Sequence, residues 1–329
     1  MNENMKRLIV CLLCLLCAAA PAAAQELKPV LDQKHAQAAQ RLSIMSQQDD
    51  AFEGVPYNGG FLRGRGCQPT SIANGVIAAF GIEDRQTAVE LVKEATQVLV
   101  VPWQRGTGRM ELGRIKNLFD AQERMEQAQE FPYLAALIES YDGEIAVTAD
   151  RLSAEQAEAY FAGRKKGMLV GGMQVYPEWT DLLGIMQRLY EMGMKDAVVS
   201  LASVGVGAEE SGLPLSCGKS GHYLSLMMYV GSFVEEGRMY VLDSLPRALV
   251  GEESGEEHVL RQHYPFTKKK SGFAQEFQAR RIRDTVIELM PAQQQAWREA
   301  EQEQKDKMLR PLVLYGPGIL TIAWRENGE

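Results

Sequence analysis

Apolar positions at helical spacing run through the first two thirds of the chain, and strand-like runs take over in the last third. Ile72, Ala73, Val76, Ala79 and Phe80 fall on one side of a helix that Gly81 closes, which predicts a helix over about 69–80. The same period predicts helices at about 26–48, 85–97, 110–126, 153–164 and 178–192, with strand-like runs at 144–148, 168–175 and 196–203 between them. Between 53 and 66 the text is EGVPYNGGFLRGRG, whose glycines predict an irregular loop leading to Cys67. Further on, Tyr223–Val230 and Arg238–Ser244 are rich in Tyr, Val, Leu and Met and flank GSFVEEG, which predicts an antiparallel hairpin. Apolar residues on both faces of its first strand imply burial. An acidic loop at 251–258, a segment near 272–289, a Gln/Glu-rich helix over about 292–307 and closing strands at 312–316 and 319–324 complete the pattern. There is no internal repeat, and no linker splits the chain after its first residues.

At the start, Lys6 and Arg7 precede an apolar run from Leu8 to Ala20 and then Pro21-Ala22-Ala23-Ala24. A charged head, a short apolar run and small residues before Gln25 predict a secretory signal peptide over 1–24. The run is shorter than the roughly 20 residues that span a bilayer. No later segment reads as an integral membrane span, so a periplasmic or secreted chain is expected. A lead-in helix is expected over 25–52 and one main domain over 53–329, with a helical insertion at about 100–195. Cleavage would take the formal charge from −8 to about −9, which argues against a nucleic-acid partner. The basic clusters Lys268-Lys269-Lys270 and Arg280-Arg281-Arg283 read as solvated faces. Of five cysteines, Cys67 and Cys217 would remain, and in an oxidising compartment the choice is between disulfide and chemistry.

Three segments carry that chemistry: Gly66–Ser71 (GCQPTS), Gly221–Leu226 (GHYLSL) and Tyr240–Ser244 (YVLDS). They offer a thiol at a helix start, an imidazole at a strand start and a carboxylate near the end of the next strand. A helix N-terminus and a nearby imidazolium both favour the thiolate, the nucleophilic form. An antiparallel pair brings His222 and Asp243 to one end of the sheet, where a carboxylate can orient the imidazole. Cys67 is therefore the expected nucleophile, His222 the general base and acid, and Asp243 the residue that orients His222.

In order and spacing, Val55–Asn58 (VPYN), Gly66–Asn74 (GCQPTSIAN), GHYLSL and YVLDS resemble the papain-like cysteine peptidases of the bacteriocin-processing, double-glycine leader peptidase type, and the resemblance covers about residues 53–246. It implies an α+β, papain-like fold, a helical subdomain packed on an antiparallel β-sheet with the site in the cleft between. It also implies cleavage of a peptide or amide bond through a Cys67 thioester, with a peptide or protein as substrate and no cofactor. Gln68 stands where that family has Gly, and Asn58 where it has an upstream Gln, so Asn58 becomes the candidate oxyanion donor. A looser similarity to phytochelatin synthase, on the same GH and LD strand pair, implies peptidyl transfer as an alternative.

From another class, a non-catalytic papain-like binding or scaffold protein would pair Cys67 with Cys217, five positions before His222. His258 and His263 lack the geometry of a ligand set, so no metal is expected. His35 reads as a helix-surface residue, and nothing in the sequence points to an oligomeric state.

Overall fold

The computed structural model describes residues 30–98, 131–174, 179–208, 216–217, 220–221, 223–245, 277–310, 312–315 and 317–326. The predicted signal peptide, the helix at 110–126, His222, the acidic loop, His258, His263 and Lys268–Lys270 lie outside these residues, as does the side chain of Cys217. The chain forms two compact units, Met1–Gln37 and Ala38–Glu329. The fold below is that of the second.

In chain order the elements are α1 (Val30–Arg41), β1 (Pro56–Tyr57), β2 (Gly60–Phe61), α2 (Leu62–Arg65), α3 (Cys67–Phe80), α4 (Arg85–Val98), α5 (Pro132–Ser140), β3 (Glu144–Arg151), α6 (Ala154–Phe161), β4 (Lys166–Gln174), α7 (Thr180–Glu191) and β5 (Val198–Ala208). There follow β6 (Ser216–Cys217), β7 (Ser220–Gly221), β8 (Leu224–Tyr229), α8 (Val230–Glu236), β9 (Met239–Leu242), β10 (Phe277–Arg283), β11 (Val286–Pro291), α9 (Gln294–Glu299), α10 (Gln302–Leu309), β12 (Leu312–Tyr315) and β13 (Pro317–Arg325).

The fold is mixed α+β, built on a nine-stranded sheet of order β10-β11-β9-β8-β5-β13-β4-β3, with β12 pairing to β5. Every neighbouring pair in it is antiparallel except β3 with β4, which run parallel and are joined through α6. β8 and β9 pair as predicted, Ser225 opposite Leu242 and Met227 opposite Tyr240. Their connection is a helix and not a hairpin loop: the seven residues Val230–Glu236 form α8, which Gly237 closes at φ 68°. β8 and β9 are buried at every position, as strands covered on both faces must be. Residues 131–195, expected within a helical insertion, contribute β3 and β4 to this same sheet, and β4 pairs along its full length with β13.

Alternation along the strands divides the core. Leu224, Leu226, Met228, Met239 and Val241 face one layer of helices, in which Leu182, Leu183, Ile185 and Met186 of α7, Phe233 of α8 and Trp297 of α9 are buried. Met227, Tyr229, Tyr240 and Leu242 face the other, formed by α3, α4 and α5. The two-residue period of a strand thus feeds two separate cores.

Several expectations change locally. Helix α1 ends at Arg41, short of the predicted 48. His35 is buried at 2 % exposure, not on the surface, because it shares an i, i+4, i+7 stripe with Ala39 and Leu42. The predicted loop over 53–66 contains the β1–β2 hairpin and the turn of helix α2. The helix over 292–307 breaks at Ala300, which is extended at φ −78° and ψ 137°. Arg280 and Arg283 are exposed, as expected of a solvated face, and also reach inward: Arg280 donates to the buried Glu288 at 2.7 Å and Arg283 to the carbonyls of Gln40 and Leu42, while the Arg281 side chain is largely covered. Glu288 also pairs with Arg238, which pairs in turn with Glu236, so buried charge is matched by charge along this part of the sheet.

Candidate functional site

Helix α3 begins at Cys67, two residues before Pro69, which is tolerated in a first turn because its missing N–H has no intrahelical partner there. Thr70, Ser71, Asn74 and Gly75 are all buried under it. Gly75 lets the helix sit directly on β5: a Cβ there would lie 2.5 Å from the Cβ of Ala202 and 3.2 Å from Oγ of Ser200. One turn earlier, the Ser71 hydroxyl donates to the Leu224 carbonyl at 2.6 Å and the Ser225 hydroxyl donates to the Ser71 carbonyl at 2.5 Å. The two hydroxyl oxygens are 3.0 Å apart. This reciprocal pair fixes α3 on β8 in one register.

From that fixed point the start of the helix is located. Cys67 lies one helical turn, about 5.4 Å, before Ser71, and Tyr223 lies two strand residues, about 6.7 Å, before Ser225 on the same face. Cys67 and Tyr223 therefore lie near one another, at the starts of helix and strand. Their electrostatics agree: burial and then the charge of Cys67 push the Tyr223 phenol above its usual range. Tyr57 on β1 completes the cluster, its phenol pushed up to about 12 by burial, by Cys67 and by Tyr223, in that order. Burial and the charge of Cys67 oppose ionisation of both phenols, which keep their protons at neutral pH and can donate hydrogen bonds.

Cys67 is half-buried and is not in a disulfide. Asp243, 3 % exposed, sits just past β9 between Leu242, which pairs with Ser225, and Ser244, whose hydroxyl donates to the Tyr223 carbonyl at 3.0 Å. It therefore lies at the same end of the sheet as Tyr223. Its Oδ1 accepts the Leu245 N–H at 2.8 Å, and its own N–H donates to the Thr285 carbonyl. His222, outside the described residues, immediately precedes Tyr223 in the sequence. Asn58 occupies a different place. It is exposed at the tip of the β1–β2 hairpin at φ 47°, followed by Gly59 at φ 70°, the Asn-Gly combination of a two-residue hairpin turn. Its carbonyl accepts from Arg65 at 2.6 Å.

Asn74 and Ser71, expected from the sequence to serve helix structure near the cleft, have partners beyond their own helix, and Gln47 joins them. Asn74 clamps the backbone of Met45 from both sides, accepting its N–H at 2.9 Å and donating to its carbonyl at 3.0 Å. That clamp holds the segment that brings Gln47 to the site: the Gln47 N–H donates to the Ser244 carbonyl at 2.8 Å and its amide nitrogen to the Arg63 carbonyl at 3.1 Å. Gln47 is buried, and its amide oxygen has no hydrogen-bond partner among the described residues. The legible signal for the Ser71–Ser225 pair was a lone serine, Ser225, in an otherwise apolar strand, because a buried hydroxyl needs a partner.

Among the described residues no cluster of three or more His, Cys, Asp or Glu could hold a metal ion, and no helix is long and apolar enough to cross a membrane. No family model, curated protein or solved structure matches the chain.

Proposed function

We propose that this protein is an exported cysteine hydrolase of papain-like architecture, cleaving a peptide or amide bond through a thioester on Cys67. The observation that carries the reading is the Ser71–Ser225 clamp, which brings the first residue of α3 against the strand that follows His222. In the proposed reaction the Cys67 thiolate attacks the carbonyl carbon, and collapse of the tetrahedral species breaks the C–N bond. His222 gives the departing amine its proton, and a water deprotonated by His222 then hydrolyses the thioester. Asp243, buried at the same end of the sheet, orients His222 in this scheme. Tyr57 and Tyr223, kept protonated, are donors beside the sulfur.

The test is acylation by an activated ester, p-nitrophenyl acetate, read by intact mass and peptide mapping. One acetyl group should appear on Cys67, none in Cys67→Ala, and the rate should fall in His222→Ala while melting stays unchanged. Acetylation that ignores both substitutions would overturn the proposal.

A further inference from the structure

Cys67 is held on its C-terminal side by the bonds between Ser71, Leu224 and Ser225. A second tie lies on its N-terminal side and starts from Gln47. The Gln47 N–H donates to the Ser244 carbonyl at 2.8 Å, next to Asp243, and its side-chain amide nitrogen donates to the Arg63 carbonyl at 3.1 Å, in the turn of α2. From a half-exposed position, Gln48 donates its amide nitrogen to the same carbonyl. A carbonyl oxygen has two lone pairs, and two consecutive amides use them here.

Between Arg63 and Cys67 the chain has little slack. The Gly66 N–H closes α2 on the Leu62 carbonyl at 2.7 Å, and a Cβ on Gly66 would lie 2.5 Å from that carbonyl oxygen. Leu62 is fully buried, and its own N–H is spent on the Val55 carbonyl at 2.8 Å. In a turn packed this closely, a shift at Arg63 reaches Cys67 and is not absorbed on the way.

Gln47 keeps this tie at a cost. Its amide oxygen is buried without a partner among the described residues, and a desolvated acceptor left unpaired is destabilising. A methionine of similar length would fill the position with no orphaned atom. Stability alone therefore does not account for an amide at this place, and the two groups it joins are the segment before Cys67 and the residue after Asp243.

We infer that Gln47 and Gln48 are positioning residues: through the Arg63 carbonyl they fix the start of α3, and with it the Cys67 sulfur, relative to the strand end that carries Asp243. The inference rests on the proposed role of Cys67 as an activated thiol, and it adds two residues that act on that thiol without touching substrate.

The test is the pH profile of Cys67 alkylation by iodoacetamide in the full chain, resolved by peptide mapping, with melting temperature measured beside it. In Gln47→Met the profile should move toward the ordinary thiol midpoint near about 8.5, with the rate near neutral pH down about threefold. Melting should not fall, because the orphaned oxygen leaves together with the hydrogen bond. Gln48→Met should give a similar fall, and the double variant about tenfold, one unit of thiol acidity. Profiles unchanged in both single variants, or a rate that drops only in step with the melting temperature, would overturn the inference and leave the function standing. Wild-type Cys67 that labels no faster than the thiol of the unfolded chain would overturn both.

Discussion

The two faces of the sheet are covered by helices that meet it in different ways. α7 reaches its face through Leu182, Leu183, Ile185, Met186 and Leu189, all buried and apolar. α3 meets the other at Ser71, which exchanges hydroxyl bonds with β8, and at Gly75, whose bare backbone lies on β5. Apolar packing is non-directional and tolerates small shifts, whereas reciprocal hydroxyl bonds hold at a single register. The face that carries Cys67 is thus built for position and the face behind it for stability.

Substitutions on the two faces should separate these roles. The largest loss is expected for Trp297→Ala on the α7 side, about 3–5 kcal/mol by denaturant unfolding, with the alkylation rate of Cys67 in the folded protein unchanged. On the α3 side Gly75→Val should cost about 1–3 kcal/mol by overpacking against Ala202 and should alter that rate, because it lifts the helix from β5. Ser225→Ala leaves the Ser71 carbonyl without its side-chain donor and should cost about 1–3 kcal/mol. With Ser71→Ala added, the loss should be less than the sum of the two singles, since they share one interaction.

Alkaline titration gives a smaller effect. Tyr57 on the α3 side has its phenol raised from 10.0 to about 12. The unfolded chain loses that proton first, so stability is intact below pH 10 and declines as pH rises from about 10 to about 12. Tyr57→Phe should make the decline shallower in unfolding curves taken across that window. Smallest of all should be Asn58→Gly, within about 0.5 kcal/mol, because the hairpin tip already holds Asn58 at φ 47°. Ester acylation unchanged in that variant would assign Asn58 to the turn, and a large fall would restore it as an oxyanion donor.

The helices α3, α4, α6 and α7 and the strands β3, β4 and β5 were legible within a few residues, because each carries a single period of its own. α8 was not: GSFVEEG holds glycine at both ends and reads as a turn, whereas in the fold it is a helix whose Phe233 packs on Trp297. The sheet order was hidden for the same reason, since β4 finds its partner β13 far along the chain. Within the candidate site, Cys67 at a helix start and Asp243 after β9 were read directly. Tyr57, Tyr223 and Gln47 were missed because their relation to Cys67 exists only in three dimensions. Asn58 reads in the sequence as a candidate oxyanion donor, and its Asn-Gly turn signal was masked by the surrounding glycines.

The most direct measurement on the central claim is the alkylation rate of each thiol by iodoacetamide near neutral pH, resolved by peptide mapping. Cys67 should react much faster than Cys217, and His222→Ala should slow it without lowering the melting temperature. Equal, slow labelling of both thiols, or a Cys67 rate indifferent to His222→Ala, would contradict the assignment of Cys67 as an activated nucleophile.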